Sequence, residues 1–305
     1  MKVRIGYGLG TAGLRATPGQ TVATTFAGFV DGLEKHGFDS LWLSERITGP
    51  APDPVVGLAV AAGRTSRLKF GMSVMVLPGR NPALLAKELA SLDVLSGGRL
   101  LPAFGLGVAN PAEQQAFGVR REERAPWFDE ALPLIRRLWT EDRVDHEGPR
   151  FRYRDLEVLP KPLQSPPDVW LGGVAPSELR RVGRLGDGWL PSFITPDEAI
   201  ERRRSVEEAA DQAGRAIDPE HFGALIFYVR HGIPDRLLQL ISARRPGLDP
   251  HQLVPVGWAQ VRTSIGRFIA AGFSKFVLLP AEEPPSWADE LAEAAAEVLP
   301  LQGTR

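Results

Sequence analysis

Cysteine is absent from this chain of 305 residues, which excludes disulfides, thiolate nucleophiles and cysteine-ligated metals. The absence agrees with a reducing cytoplasm, though secreted proteins can also lack cysteine. A basic excess is missing too. The formal net charge is −1, whereas non-specific nucleic-acid binding needs many more cations than anions. Long apolar runs are lacking, and none approaches the roughly 20 residues that span a bilayer. The N-terminal MKVRIGYGLG goes straight into a strand-like segment, with neither the apolar core nor the cleavage site of a signal peptide. The expectation is a soluble, cytoplasmic protein with no nucleic-acid or membrane partner. Metal-ligand spacing is also missing, since the five histidines form no HxxxH or HxH pair, and no metal is expected. No G-x-S-x-G elbow, Walker loop or G-x-G-x-x-G after the first strand is present. Triad hydrolysis and Rossmann dinucleotide binding have no support.

What is present is material for a large core. Hydrophobic residues make up 43% of the chain, an ordinary share for a globular protein. The most legible stretch runs from Leu68 to Gly107, LKFGMSVMVLPGRNPALLAKELASLDVLSGGRLLPAFGLG. Phe70 to Val76 is apolar, as a strand buried on both faces requires. Asn81-Pro82 starts a helix, the asparagine capping free N–H groups and the proline needing none at the first position. Leu85, Leu89, Leu92 and Leu95 then recur at spacings of three and four, predicting one apolar helical face. Ser96-Gly97-Gly98 ends the helix, and Leu100 to Leu106 begins a second buried strand. A crossover of this length predicts parallel pairing.

The joins HGFDSLWL (36–43), GGRLLPAF (97–104), GDGWLPSF (186–193) and AGFSKFVLL (271–279) repeat one design. Each has a glycine at a helix end and then a short apolar strand. Strands are expected near 3–8, 40–43, 69–76, 100–106, 169–172, 188–190, 223–229 and 275–279. Helical patterns lie between them, including 54–62, 122–140, 176–185, 196–213 and 258–271. The chain thus reads as α/β, a (β/α)8 TIM barrel with insertions, in one domain over residues 1–305. A charged, proline-rich excursion around 141–167 and an irregular segment around 233–255 interrupt the even spacing. They are lids, interface elements or padding.

In such a barrel the strand exits carry the chemistry, and the helix-to-strand turns face the opposite end. Gly97-Gly98 and Gly186–Gly188 therefore read as structural turns, while Gly8, Gly10, Gly105–Ala109 and Gly172-Gly173 belong to the working face. At the fifth exit, WLGGVAPSELRR leads from a strand into a helix with Ser177 in its first turn and Arg180 and Arg181 following. Backbone N–H groups at such a turn suit an anion, or water alone. At the second exit Ser44, Glu45 and Arg46 stand side by side. They read as a proton acceptor and an anion holder, or as a solvated ion pair. The fourth exit, GLGVANPAEQQAFG, has the small residues that let a flat ligand approach backbone. Its Glu113 is either a site carboxylate or an ordinary first-turn residue. His231 is the one histidine positioned for the mouth.

The run NPALLAKELASLDVLSGGRL strongly resembles the luciferase-like monooxygenase superfamily, in which a proline-initiated AKE-x-A-x-LD-x-LS-x-GR segment is a hallmark. FDSLWLSE, EQQAFGV, FDEALPLIRRLWTED, VWLGG and GDGWLP match in order and extend the resemblance over nearly the whole chain. Within the superfamily the chain is most similar to coenzyme F420-dependent oxidoreductases. The resemblance implies a barrel that holds a deazaflavin or a flavin at its strand exits. Glu45 matches an acidic position near the ring, and Arg46 replaces the usual histidine, so the implied catalytic pair is Glu45 and Arg46. A guanidinium is a poor proton donor but suits a reduced, anionic ring or the substrate.

The resemblance also implies a bulge with a non-prolyl cis peptide at Ser73-Val74, supporting one face of the ring. Ser44 joins the cofactor contacts, Leu106, Gly107, Val108 and Ala109 line the ring, and Gly172, Gly173, Val174 and Ser177 take the phosphate. The implied activity is hydride transfer between coenzyme F420 and a small organic substrate. The runner-up is an FMN-dependent monooxygenase. A third reading, favoured by the loss of the histidine, is a non-catalytic flavin- or ligand-binding relative. Substrate choice is expected from the excursion around 150–161 and the loops after Thr11 and Pro280. Family likeness suggests a homodimer.

Overall fold

The computed structural model describes residues 1–10, 14–16 and 19–304. Eight parallel strand positions follow one another around a ring. They are Lys2–Leu9, Ser40–Leu43, Lys69–Met72 continued by Met75–Val76, and Leu100–Leu101 continued by Ala103–Gly105. Trp170–Leu171, Gly188–Trp189, Gly223–Tyr228 and Lys275–Pro280 complete the set. Each neighbouring pair from first to sixth is hydrogen-bonded in parallel, as are the seventh with the eighth and the eighth with the first. The sixth and seventh meet through a parallel bridge between Trp189 and Phe222. There the Trp189 N–H donates to the His221 carbonyl at 2.9 Å and the Leu225 N–H to the Pro191 carbonyl at 2.9 Å. The ring closes, and the fold is the expected TIM barrel.

A helix follows each strand, and the caps follow the sequence. Asn81 accepts hydrogen bonds from the N–H groups of Ala83 and Leu84, Pro82 opens the helix Pro82–Ser96, and Gly97 ends it at φ 71°. Leu85, Leu89 and Leu92 are buried as predicted, but Leu95 is 82% exposed. At 100° per residue Leu95 has rotated off that face, and Ser96 takes the buried place. The segment 233–255, expected to be irregular, contains the helix Asp235–Arg244. The excursion 141–167 contains an antiparallel hairpin, Val144–Glu147 with Arg152–Leu156.

Two apolar layers result. The larger fills the space between strands and helices, from Val3 through Phe128 to Val298. The smaller lies inside the barrel, with Trp42, Trp170, Leu190, Leu225, Val277 and Leu279 at its centre. Glycines in the strands make room for the two tryptophans. A Cβ on Gly71 would stand 2.3 Å from the Trp42 ring, and one on Gly188 2.6 Å from Trp170. Lys275 is buried with them, its Nζ 3.0 Å from Asp39 Oδ2 and 5.8 and 5.9 Å from the two indole centroids. Both charges come from helix-to-strand joins, so this ion pair closes the end of the barrel away from the strand exits.

Candidate active site

A cleft of about 1530 Å³ opens at the strand exits, larger than the roughly 300–1,000 Å³ common for small-ligand sites. Every strand contributes to it, through Gly10, Ser44, Val74, Gly107, Gly172, Phe193, Phe227 and Ala281 in chain order. This is the face on which barrel chemistry is expected. Among the described residues no helix is long and apolar enough to cross a membrane.

The floor of the cleft is built around a break in the third strand. The Ser73-Val74 peptide bond is cis, as the resemblance implied, and it separates Lys69–Met72 from Met75–Val76. The Ser44 hydroxyl lies 3.1 Å from both the Ser73 carbonyl and the Ser73 hydroxyl, tying the bulge to the second-strand exit. Val74 then reaches across the barrel mouth. A Cβ on Gly105 would meet its Cγ2 at 2.6 Å, and one on Gly172 its Cγ1 at 3.3 Å. Val74 thus leaves no room for a side chain at Gly105 and packs closely on Gly172, and together the three form an apolar floor. Gly107, at φ 81°, lets the fourth exit turn while packed close on Val76, whose Cγ1 would stand 3.0 Å from a Cβ there. Arg124 gathers that exit by donating to the carbonyls of Leu106, Gly107 and Val108 at 3.2, 2.8 and 3.2 Å.

Glu45 lines the cleft, but its oxygens are engaged. Oε2 accepts the Val76 N–H at 2.6 Å, and Oε1 accepts from Arg80. Burial raises its carboxyl above the usual range, and the charge of Arg80 and the Val76 N–H only partly offset that. Arg46 lines the cleft and has no carboxylate within ion-pair range among the described residues. Its charge acts on Glu113. That residue belongs to the site and reaches across it, because its carboxylate accepts the N–H groups of Ile47 and Thr48 at 3.2 and 2.9 Å and the Thr48 hydroxyl at 2.5 Å. Glu113 thus fastens the second-strand loop to the helix Pro111–Phe117.

Burial acts to raise the Glu113 carboxyl, but the bonds from Thr48 and Ile47 and the charge of Arg46 together hold it below its ordinary range. A lowered folded-state pKa contributes stability above the unfolded value and loses it as pH falls through the folded one. Glu113→Gln is expected to cost about 2 kcal/mol at neutral pH, the scale of hydrogen bonds to a charged group. The stability gap from wild type should close only below about pH 4.3, as wild-type Glu113 takes up its proton. Thermal unfolding across pH checks this, and a gap independent of pH would exclude the clamp.

The fifth exit departs from expectation most. Gly172 and Gly173 line the cleft, whereas Val174, Ser177 and the fourth exit's Ala109 do not, and Ser177 and Ala109 are exposed. The N–H groups of Val174 and Ala175, at the start of the helix Pro176–Leu185, both donate to Glu178 Oε2 at 2.9 Å. Gly173 is flush with that carboxylate, since a Cβ there would stand 2.7 Å from it. His231 lies outside the cleft lining. So does the whole excursion 141–167, while the helix Asp235–Arg244 supplies Arg236, Leu237, Leu240 and Arg244 to the wall. The loop after Thr11, expected to help read substrate, begins in residues outside the described set; Glu282 and Glu283 after Pro280 do line the cleft.

Arg80, Phe193, Phe227 and Glu178 were missed by sequence reasoning. Phe193 ends the repeated join GDGWLPSF and stacks on Phe227 with centroids 4.6 Å apart. Glu178 occupies the third helical position, where a carboxylate reaching back to the cap is a recognisable signal.

A family model described as luciferase-like monooxygenase matches residues 5–265. The F420-dependent glucose-6-phosphate dehydrogenase of Kineococcus radiotolerans is 33% identical over 188 residues, covering 58% of this chain and 55% of that protein. The chain spans about half the length of the curated relatives it matches. Among solved structures, monooxygenase RslO1 from Streptomyces bottropensis superposes with a TM-score of 0.80 at 23% identity, over 98% of this chain and 99% of that one. An F420-dependent secondary alcohol dehydrogenase in complex with an F420-acetone adduct gives 0.79 at 20% identity, over 98% of each. At these identities both likenesses describe the fold.

Proposed function

Because this chain belongs to the luciferase-like monooxygenase family, we propose that it is an oxidoreductase moving a hydride between coenzyme F420 and a small organic substrate. The observation that carries the reading is the apolar floor of Val74, Gly105 and Gly172 at the bottom of a cleft large enough for two ligands. The similarity to relatives named as F420-dependent dehydrogenases supports the deazaflavin over FMN.

The floor would suit a flat ring, and Val74 and the Gly107 turn are the residues that would hold it. The deazaflavin, once bound, supplies the hydride-carrying chemistry. This chain's residues do the rest. Ser44 holds the bulge, Glu45 and Arg80 brace the third-strand exit, and the Glu113 clamp holds the loop that carries Arg46. Glu45 is in this reading a positioning residue, since its oxygens are committed to Val76 and Arg80. Arg46 brings a fixed positive charge to a partly dry cleft, where it favours a negative charge on substrate or ring. Phe193, Phe227, Leu237 and Leu240 form an apolar far wall, with Arg236 and Arg244 beside it, and that wall reads the substrate.

Residues 1–305 form in this reading one barrel domain that works in the cytoplasm as a homodimer. Val56 and Val60 on the helix Pro54–Arg64 and Leu84 and Leu95 on the adjoining helix Pro82–Ser96 are each at least half exposed, which supports a second copy as their cover. Parallel titrations with coenzyme F420 and FMN test the assignment, following fluorescence and thermal stability. Saturable binding of F420 alone is expected. Binding of FMN alone would transfer the protein to the flavin monooxygenases, and silence from both would leave it a non-catalytic relative. Light scattering on the same sample should return twice the chain mass; one chain's mass would exclude the dimer.

A further inference from the structure

We propose that Glu178 is an internal anion occupying the turn where a ligand phosphate would sit, so that it sets this protein's affinity for phosphorylated cofactors. The inference rests on the reading above for the ligand and on the glycine turn of the fifth exit for the place of its phosphate. Glu178 Oε2 already accepts the N–H groups of Val174 and Ala175 at 2.9 Å each. The turn is held in that state from its other side. The Trp189 indole N–H donates to the Gly173 carbonyl at 2.9 Å, and Arg202 to the Val174 carbonyl at 3.0 Å. Gly173 leaves no slack, because the Glu178 carboxyl stands 2.7 Å from where its Cβ would be. Glu178 also lines the cleft, so it is in the path of any anion arriving there.

A phosphate and this carboxylate cannot share two N–H donors. Two anions in hydrogen-bond range repel, and each would forfeit the donors the other took. A phosphorylated ligand must therefore displace Glu178, breaking two charge-assisted bonds before making its own. A ligand without phosphate meets no such obstacle. The glycine pair at this exit looks in sequence like a phosphate cradle, yet the chain supplies its own occupant three residues into the helix.

The test uses Glu178→Gln, which keeps an oxygen for the cap without the charge, and Glu178→Ala, which empties the turn. The probes are coenzyme F420 and FMN, each beside its phosphate-free ring–ribityl counterpart, and inorganic phosphate followed by phosphorus NMR and thermal shift. Both variants should bind the phosphorylated probes about tenfold tighter, the scale on which one displaced cap weakens an equilibrium. The phosphate-free probes should bind unchanged. Equal changes for both kinds of probe, or no gain for any phosphorylated probe including inorganic phosphate, would overturn the proposal. If no ring compound binds any form of the protein while inorganic phosphate binds the variants alone, the cofactor assignment fails and the role of Glu178 stands.

Discussion

Asp39→Ala is expected to lower the free energy of unfolding by about 3–5 kcal/mol, because it strips the counter-charge from a lysine inside the barrel. The side chains of Lys275 and Asp39 are 4% and 14% exposed and meet at 3.0 Å between two indole rings. Burial is the largest influence on the lysine and pulls its pKa down, against the opposing pull of Asp39. For Asp39 burial acts upward, but the charges of Lys275 and Lys69 hold its carboxyl below the usual range. Its contribution is thus present above about pH 3.9 and fades as pH falls through the lowered value. Replacing both partners, as Asp39→Asn with Lys275→Met, should recover most of the loss, since a neutral pair carries no desolvation debt. Urea unfolding of the three proteins decides it. A loss under about 1 kcal/mol for Asp39→Ala would mean that the pair behaves as a surface ion pair.

Arg46→Ala is expected to reduce turnover about a hundredfold while leaving affinity for the oxidised cofactor within about twofold, the pattern of a charge acting on the reaction and the reduced ring rather than on initial binding. Assays would start from sugar phosphates, the substrate class in the name of the Kineococcus radiotolerans relative. A readout independent of substrate is the reduction potential of the bound cofactor. Loss of the guanidinium should make reduction harder by about 30 mV, a tenfold shift in a two-electron equilibrium. Arg46→Lys keeps the charge but not the fork, and should restore the potential better than the turnover. An unchanged rate and potential in Arg46→Ala would remove this residue from the mechanism.

The barrel was legible because its signals are local. Asn81-Pro82, Gly97 and the recurring glycine-then-strand joins specify caps and turns within a few residues. The strand exits followed from orientation, and so Ser44, Glu45, Val74, Gly107 and Gly172 were brought to one cleft as expected. What stayed hidden depends on partners distant in sequence. Glu45 leans on Arg80 across 35 positions and Glu113 on Thr48 across 65, and neither spacing has a periodicity to betray it. Nothing near Lys275 in the sequence points to Asp39, 236 positions earlier. Glu178 is the exception. Its signal was local and present, but the glycines before it invited an external anion first.

The closure of the ring has a mechanical consequence. A hoop yields at its sparsest joint, and here the first and eighth strands share four registered pairs while the sixth and seventh hold each other by a single bridge and two backbone bonds. Phe193 hangs directly beyond that joint, and its stacking partner Phe227 stands on the other side of it. Widening the mouth for a bulky guest therefore breaks fewest bonds at the far wall. The Val74 floor lies at other joints, where the third, fourth and fifth strands are held by two registered pairs in each ladder.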